Sequence, residues 1–168
     1  MLRIVRPVAT LAAVLMAGWL PLGASAQAPD GPRPAVPFEG ARGRLPLPVA
    51  GRFIVAYGEP TADGTPSSDL VIEAEPGAKV VSPCDGVVVY AGEFRSYGPL
   101  VIVSAGDGYH FMLAGLSSLD ALPGQRLRAG EPIGALGRTS PDGNAPRLSV
   151  SLLKDSRAID PTPWWRKD

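Results

Sequence analysis

The most regular alternation of polar and apolar positions in the chain lies in residues 145–161. Every second residue from 148 to 152 is apolar, and the residues between and before them are polar: Arg147, Ser149 and Ser151. A period of two is typical of a β-strand with one buried face. We therefore predict a strand over residues 147–153, after a Gly-, Pro- and Asn-rich loop at 140–146. The polar face of this strand carries the first candidates for a functional site.

The chain before this strand consists of short apolar runs separated by turns that contain Gly and Pro. These runs, with a last short segment after residue 157, predict further strands at residues 52–57, 69–74, 79–81, 87–90, 99–104, 109–113, 125–128, 132–136 and 158–159. Residues 116–122 are predicted to form one helical turn. No long stretch after residue 26 has the 3.6-residue period of an amphipathic helix. The sequence therefore predicts an all-β domain with a sandwich-like or barrel-like core.

The first 44 residues differ in character from the rest of the chain. Arg3 and Arg6 precede an apolar run at residues 8–20, and Ala24-Ser25-Ala26 is a small-x-small cleavage site. This pattern predicts a secretory signal peptide over residues 1–26, cleaved after Ala26, and no membrane span after cleavage; an uncleaved anchor is the alternative. Residues 27–44 are rich in Pro and Gly and predict a flexible linker. The folded domain is then predicted to cover residues 45–168.

Charge and reactive residues narrow the choice of function. Without residues 1–26 the chain keeps 14 basic and 16 acidic side chains, a net charge of −2, which gives no electrostatic basis for binding nucleic acid. The single cysteine, Cys84, excludes an internal disulfide and is predicted to be a buried apolar residue. The single histidine, His110, is predicted to be a partly exposed strand residue, and a zinc site needs three protein ligands. With no Gly-x-Ser-x-Gly turn, the residues argue against a common metal or triad enzyme.

As an ordered set, the Gly and turn positions of residues 43–165 resemble the lysostaphin-type (LytM) peptidase fold, a β-rich zinc endopeptidase domain that cuts peptidoglycan cross-links. The resemblance implies an antiparallel, barrel-sandwich type of core with little helix. The matching segments are Tyr57-Gly58, LVIEAEPGAKVVSPCDGVVVYAGEFRSYGPLVIVSAGDGY at residues 70–109, residues 113–116, Gly124, Leu127, Gly130, Ile133-Gly134, Gly137, Pro146-Arg147-Leu148-Ser149 and Asp160-Pro161.

Every metal-ligand and catalytic position implied by this resemblance is replaced. Active members hold zinc with a His and an Asp from an early segment, and with the second His of a late His-x-His. The early His position falls on Ser67 and the Asp position on Val71, the hairpin His falls on Gly115, and the late pair falls on Arg147 and Ser149. Valine and glycine side chains have no ligand atoms. Hydrolysis in such sites depends on a zinc-bound water, so we expect no catalytic residue, no metal and no cofactor.

Some members of this fold are non-catalytic. The chain resembles one such class, the EnvC/NlpD-type activators of periplasmic N-acetylmuramoyl-L-alanine amidases. Residues 43–49 and 161–165 are most similar to the EnvC branch, although we expect no long coiled coil ahead of the domain. The resemblance implies a periplasmic protein that binds and activates an amidase in cell-wall remodelling or cell division. A peptidoglycan-binding scaffold and a zinc endopeptidase are the alternatives.

The groove of such a protein is expected to bind a helix of the amidase. The helix would lay an apolar face on tyrosine side chains and offer an acidic group to an arginine. Trp164 and Trp165 are predicted to fix the C-terminus to the sheet. The expected groove residues are Tyr57, Ser67, Tyr97, Gly115, Arg138, Arg147 and Ser149.

Overall fold

The alternating segments become antiparallel strands in the computed structural model, which describes residues 37–167. The all-β prediction is confirmed, and the helical segments of this region are short 3₁₀ turns. The strands of the described region are β1 (Gly51–Val55), β2 (Leu70–Ala74), β3 (Lys79–Val81), β4 (Gly86–Glu93), β5 (Pro99–Gly106), β6 (Tyr109–Ala114), β7 (Leu116–Leu119), β8 (Arg126–Leu127), β9 (Pro132–Leu136), β10 (Arg147–Lys154) and β11 (Arg157–Ile159).

The strands are arranged in two sheets, and β10 lies in the middle of the larger one. The larger sheet has the spatial order β1-β2-β10-β6-β5-β4-β8, with β11 also paired to β10. The smaller sheet has the order β3-β9-β7. β10 pairs with β2 over residues 147–150, with β6 over residues 149–154 and with β11 over residues 152–154. The strand with the clearest alternation is therefore held by three neighbours.

The two faces of the larger sheet have different roles. Leu148, Val150 and Leu152 of β10 are fully buried, as are their cross-strand partners Ile72, Leu113 and Phe111. Removing each such side chain from water contributes about 1.5–3 kcal/mol. Arg147, Ser149 and Ser151 must then lie on the opposite face, since alternate residues of a strand point to opposite sides. We call that side the outer face.

The helical turn predicted at residues 116–122 is wrong. Residues 116–119 form strand β7, which pairs with β9. Leu116 is buried opposite Leu136, whereas Ser117 and Ser118 are exposed. A short segment with two central serines has no strong local preference, so the neighbouring strand decides its conformation.

The start of the ordered chain also differs from the predicted linker boundary. Phe38–Ala41 forms a 3₁₀ turn, and Phe38 is only 3% exposed. Its ring stacks on Trp164 at 5.7 Å between centroids, and Leu45 bridges to Trp165. Apolar packing on the C-terminal tryptophans thus holds residues that composition alone assigns to a linker.

Three residues that the sequence predicts to be packed or buried are buried in the structure. They are the C-terminal Trp164 and Trp165, and Cys84 in the middle of the chain. The predicted signal peptide and the linker up to residue 36 lie outside the described residues. In the described part of the chain, no helix has the length and hydropathy required to cross a membrane.

Candidate functional site

The candidate site is the outer face around β10, where three strands meet. Ser149 lies between Val71 of β2 and Ala114 of β6 in the sheet register. Cross-strand partners point to the same side of a sheet, so these three residues share one row of the outer face. The Ser149 hydroxyl makes no hydrogen bond to another described residue. The middle of the site is therefore a small, mainly apolar surface.

Ser151, the next residue of β10 on the outer face, makes a hydrogen bond to the residue just before β2. Ser151 is 3% exposed, and its Oγ donates to Oδ1 of Asp69 at 2.5 Å. Asp69 precedes β2, and its Oδ1 also accepts from the Ser68 hydroxyl at 3.2 Å. A hydrogen bond to a carboxylate contributes about 1.5–3 kcal/mol. This contact ties the start of β2 to the centre of β10.

Arg147, at the start of β10, is tied to the preceding loop. Its Nη1 lies 2.9 Å from Oδ2 of Asp142. Hydrogen bonds from the side chain and backbone of Asn144, and then the charge of Arg147, hold the pKa of Asp142 below its usual value. Both side chains of the ion pair remain partly exposed, so the pair contributes little to stability. The Nε of Arg147 is buried and has no hydrogen-bond partner among the described residues.

Gly115 allows the backbone of β10 to lie close to the end of β6. Its φ is +101°, and a Cβ added there would overlap the carbonyl oxygen of Arg147. Only glycine combines that backbone conformation with so close an approach. Residue 115, which the resemblance assigns to a catalytic histidine, is thus a glycine in close contact with the backbone of β10.

Tyr57 and Ser67 lie at the other end of the site, and their hydroxyl groups are already engaged. Tyr57 Oη donates to the carbonyl oxygen of Ala158 at 3.0 Å. Ser67 Oγ donates to the carbonyl oxygen of Asp69 at 2.8 Å, and its backbone pairs with Gly58 and Glu59. Both side chains therefore support the local fold, and each hydroxyl group already donates its proton within the described part of the chain.

Tyr97 and Arg138 are both exposed. Leu100 pairs with Ala114, so the turn before β5 that contains Tyr97 runs beside residue 115. Arg138 follows Gly137, which packs against Ser117. Arg138 makes no hydrogen bond or ion pair within the described part of the chain.

The structure thus divides the expected groove residues into two groups. Gly115 and Arg147 are in close backbone contact at one end of β10, beside the turn that contains Tyr97, and we call this region the Gly115 end; Arg138 follows β9 of the smaller sheet. Ser149 occupies the centre, and Tyr57 and Ser67 lie beyond it. The sequence reasoning missed Asp69, Asp142 and the exposed Phe94. Asp69 begins the predicted strand 69–74 and Asp142 lies in the predicted loop 140–146, and that placement was the one available signal for the two aspartates.

Comparison with known proteins assigns this fold to a protein family. Residues 65–161 match Peptidase family M23, and the chain belongs to this family. It is 31% identical over 123 residues to the murein hydrolase activator EnvC of Escherichia coli, covering 73% of this chain and 29% of EnvC. It is 32% identical over 127 residues to the cell division protein DipM of Caulobacter vibrioides, covering 71% of this chain and 20% of DipM.

A solved structure has the same fold. The solution structure of lysostaphin superposes with a TM-score of 0.62 at 22% identity, covering 73% of this chain and 54% of lysostaphin. The match to lysostaphin concerns the fold alone. The chain spans less than a third of the length of EnvC and DipM, so only their peptidase-like domains are compared with it.

The residues at the metal positions do not fit zinc. Val71 and Gly115 offer no ligand atom, and the one hydroxyl in the central row, that of Ser149, lies between two apolar side chains. His110 pairs with Leu153 and is separated from Ser149 by four positions of β10. Within residues 37–167, no three side chains of His, Cys, Asp or Glu are placed to hold a metal ion.

Proposed function

We propose that the protein is a non-catalytic periplasmic module that binds and activates an N-acetylmuramoyl-L-alanine amidase. The proposal rests on membership of Peptidase family M23 together with the residues that the resemblance assigns to the ligand and catalytic positions: Ser67, Val71, Gly115, Arg147 and Ser149. A match over residues 65–161 without histidine at any of these positions supports a binding role in place of metal chemistry. The identity to the activator EnvC supports a role in regulating murein hydrolysis.

Two arginines supply the charge for partner binding. Arg138 is exposed and forms no ion pair within residues 37–167, and Arg147 holds Asp142 in a partly exposed ion pair. A carboxylate of the amidase can replace Asp142 at small cost, because exposed ion pairs of this kind contribute at most about 1 kcal/mol. Acidic groups on a partner helix would bind the two arginines and position the helix over Ser149 and Val71.

Activation is tested by mixing the purified protein with candidate amidases and following dye release from labelled sacculi. Wild-type protein should stimulate release by an amidase and cause none by itself. If no amidase responds and sacculi still pull the protein down, the activator proposal fails and the scaffold alternative takes its place. One zinc ion per purified molecule, together with dye release by the protein alone, would support the endopeptidase alternative.

Arg147→Ala separates a binding role from a structural one. We expect it to weaken activation by about fivefold or more, since a charged interface contact is lost. The melting temperature should change little, because the Asp142 ion pair is exposed. Arg128→Ala is the control. Arg128 is exposed and follows β8, the last strand in the order of the larger sheet, so it lies away from β10. A large loss of stability in Arg147→Ala would make Arg147 structural.

A further inference from the structure

Three aromatic rings lie together on the outer face, outside the positions inherited from the metal site. Phe94 is 43% exposed and Tyr97 is 54% exposed, among the most exposed large apolar side chains of the described region. The Tyr90 and Phe94 rings meet edge to face at 5.9 Å between centroids, and Phe94 and Tyr97 are 6.5 Å apart. We call this group the aromatic shelf.

The shelf is held in place by the turn between β4 and β5. Tyr90 Oη donates to the carbonyl oxygen of Glu93 at 2.6 Å. The backbone N–H of Phe94 donates to Gly98, and that of Tyr97 donates to Phe94. A hydrogen-bonded turn fixes the rings before any ligand arrives, which lowers the entropy lost on binding. Exposed aromatic rings on a fixed turn are suited to recognition, because they supply apolar area at low conformational cost.

The shelf is continuous with the proposed groove. Tyr90 pairs with Ile102, Ile102 pairs with Met112, and Met112 pairs with Ser151 of β10. Ile102 and Met112 are half-buried. One row of the outer face therefore runs without interruption from the central strand to the aromatic rings.

We propose that the aromatic shelf extends the groove at Tyr97 into a larger contact surface for the amidase, and that it binds an amphipathic segment carrying apolar and acidic side chains. This inference rests on the proposed function. The rings accept the apolar side chains. The acidic side chains face Arg95, whose guanidinium lies 5.9 Å from the centroid of the Phe94 ring and forms no ion pair within residues 37–167.

The chemistry of the shelf favours a protein segment over a sugar. A glycan stacked on aromatic rings also needs hydrogen-bonding groups for its hydroxyls. The Tyr90 hydroxyl is already bound to Glu93, and the neighbouring row is formed by Ile102 and Met112. Apolar side chains match this surface better, and aromatic residues dominate the energetics of protein interfaces.

The test compares Phe94→Ala and Tyr97→Ala with Phe53→Ala in the full chain. Phe53 is 47% exposed but lies on the edge strand β1, so it matches Phe94 in exposure and not in position. Binding to an amidase that responds to the wild type is measured as Kd, and sacculus binding is measured in parallel. We expect each shelf variant to raise Kd by about tenfold, as truncation of an interface aromatic does. Phe53→Ala should leave Kd unchanged.

Arg95→Glu provides a second arm that does not depend on packing. It should raise Kd more at low salt than at high salt, because the lost contact is electrostatic. Arg128→Glu, at the opposite end of β4, should not.

Three results would overturn the shelf proposal. If both shelf variants bind the amidase with the wild-type Kd, the shelf proposal is refuted and the proposed activator function is unaffected. If the wild-type protein binds no amidase, the shelf proposal and the proposed function are both refuted. Loss of sacculus binding with unchanged amidase binding would assign the shelf to glycan.

Discussion

Replacing Gly115 by alanine should destabilise the protein more than the same change at another glycine with positive φ. The φ of +101° costs an L-residue about 1–2 kcal/mol. The new Cβ also overlaps the carbonyl oxygen of Arg147, and overpacking of this kind costs about 1–3 kcal/mol. The sum is about 2–5 kcal/mol, a large share of the roughly 5–15 kcal/mol that holds a domain folded.

Gly130→Ala is the matched control for this prediction. Gly130 has a φ of +85° and no atom within 4 Å of an added Cβ, so it should lose only the conformational part, about 1–2 kcal/mol. Urea denaturation gives the two free energies of unfolding, and thermal melting should show a drop of several degrees per kcal/mol. Losses equal within about 0.5 kcal/mol would refute the steric argument.

Three further predictions concern the hydrogen-bonded, buried and strained groups. Ser151→Ala should cost about 1.5–3 kcal/mol of unfolding free energy through its bond to Asp69; Ser149→Ala, with no such bond, should cost less than about 0.5 kcal/mol, and equal losses would contradict this. Burial, and then the charge of Asp85, raise the pKa of Cys84 from 9.0 to about 12. The neutral thiol therefore contributes stability below pH 9 that is lost as the pH rises toward 12, and a thiol reagent at pH 8 should label Cys84 only after unfolding; labelling of the folded protein would refute its burial. Arg95 has a φ of +42°, so Arg95→Gly should raise the melting temperature slightly while weakening amidase binding; a lower melting temperature would show that the turn is unstrained.

Much of the fold and the main feature of the site were predictable from residues alone. The alternation over residues 147–152 predicts β10 and assigns Arg147 and Ser149 to its polar face, because alternate side chains of a strand lie on opposite sides. The single histidine of the chain argues against a zinc site with several histidine ligands for any arrangement of strands. Neither inference needs to know which strands are neighbours.

Other features could be known only from the tertiary structure. Ser151 meets Asp69 across 82 positions of the chain, and Tyr57 meets Ala158 across 101. Contacts between distant residues depend on strand order and register, which a local pattern does not specify. The same limit explains why residues 116–119 form a strand.

The sequence by itself therefore determined most of the strands and the two faces of β10, because both follow from local alternation. The tertiary structure alone decided which polar groups are engaged and which are free. It tied Arg147 to Asp142 and left Arg138 exposed. It also placed Phe94 on the surface, although an aromatic residue in a sequence is ordinarily expected inside. The physical reason is that composition specifies what a side chain prefers, whereas the packing of neighbouring strands determines what it contacts.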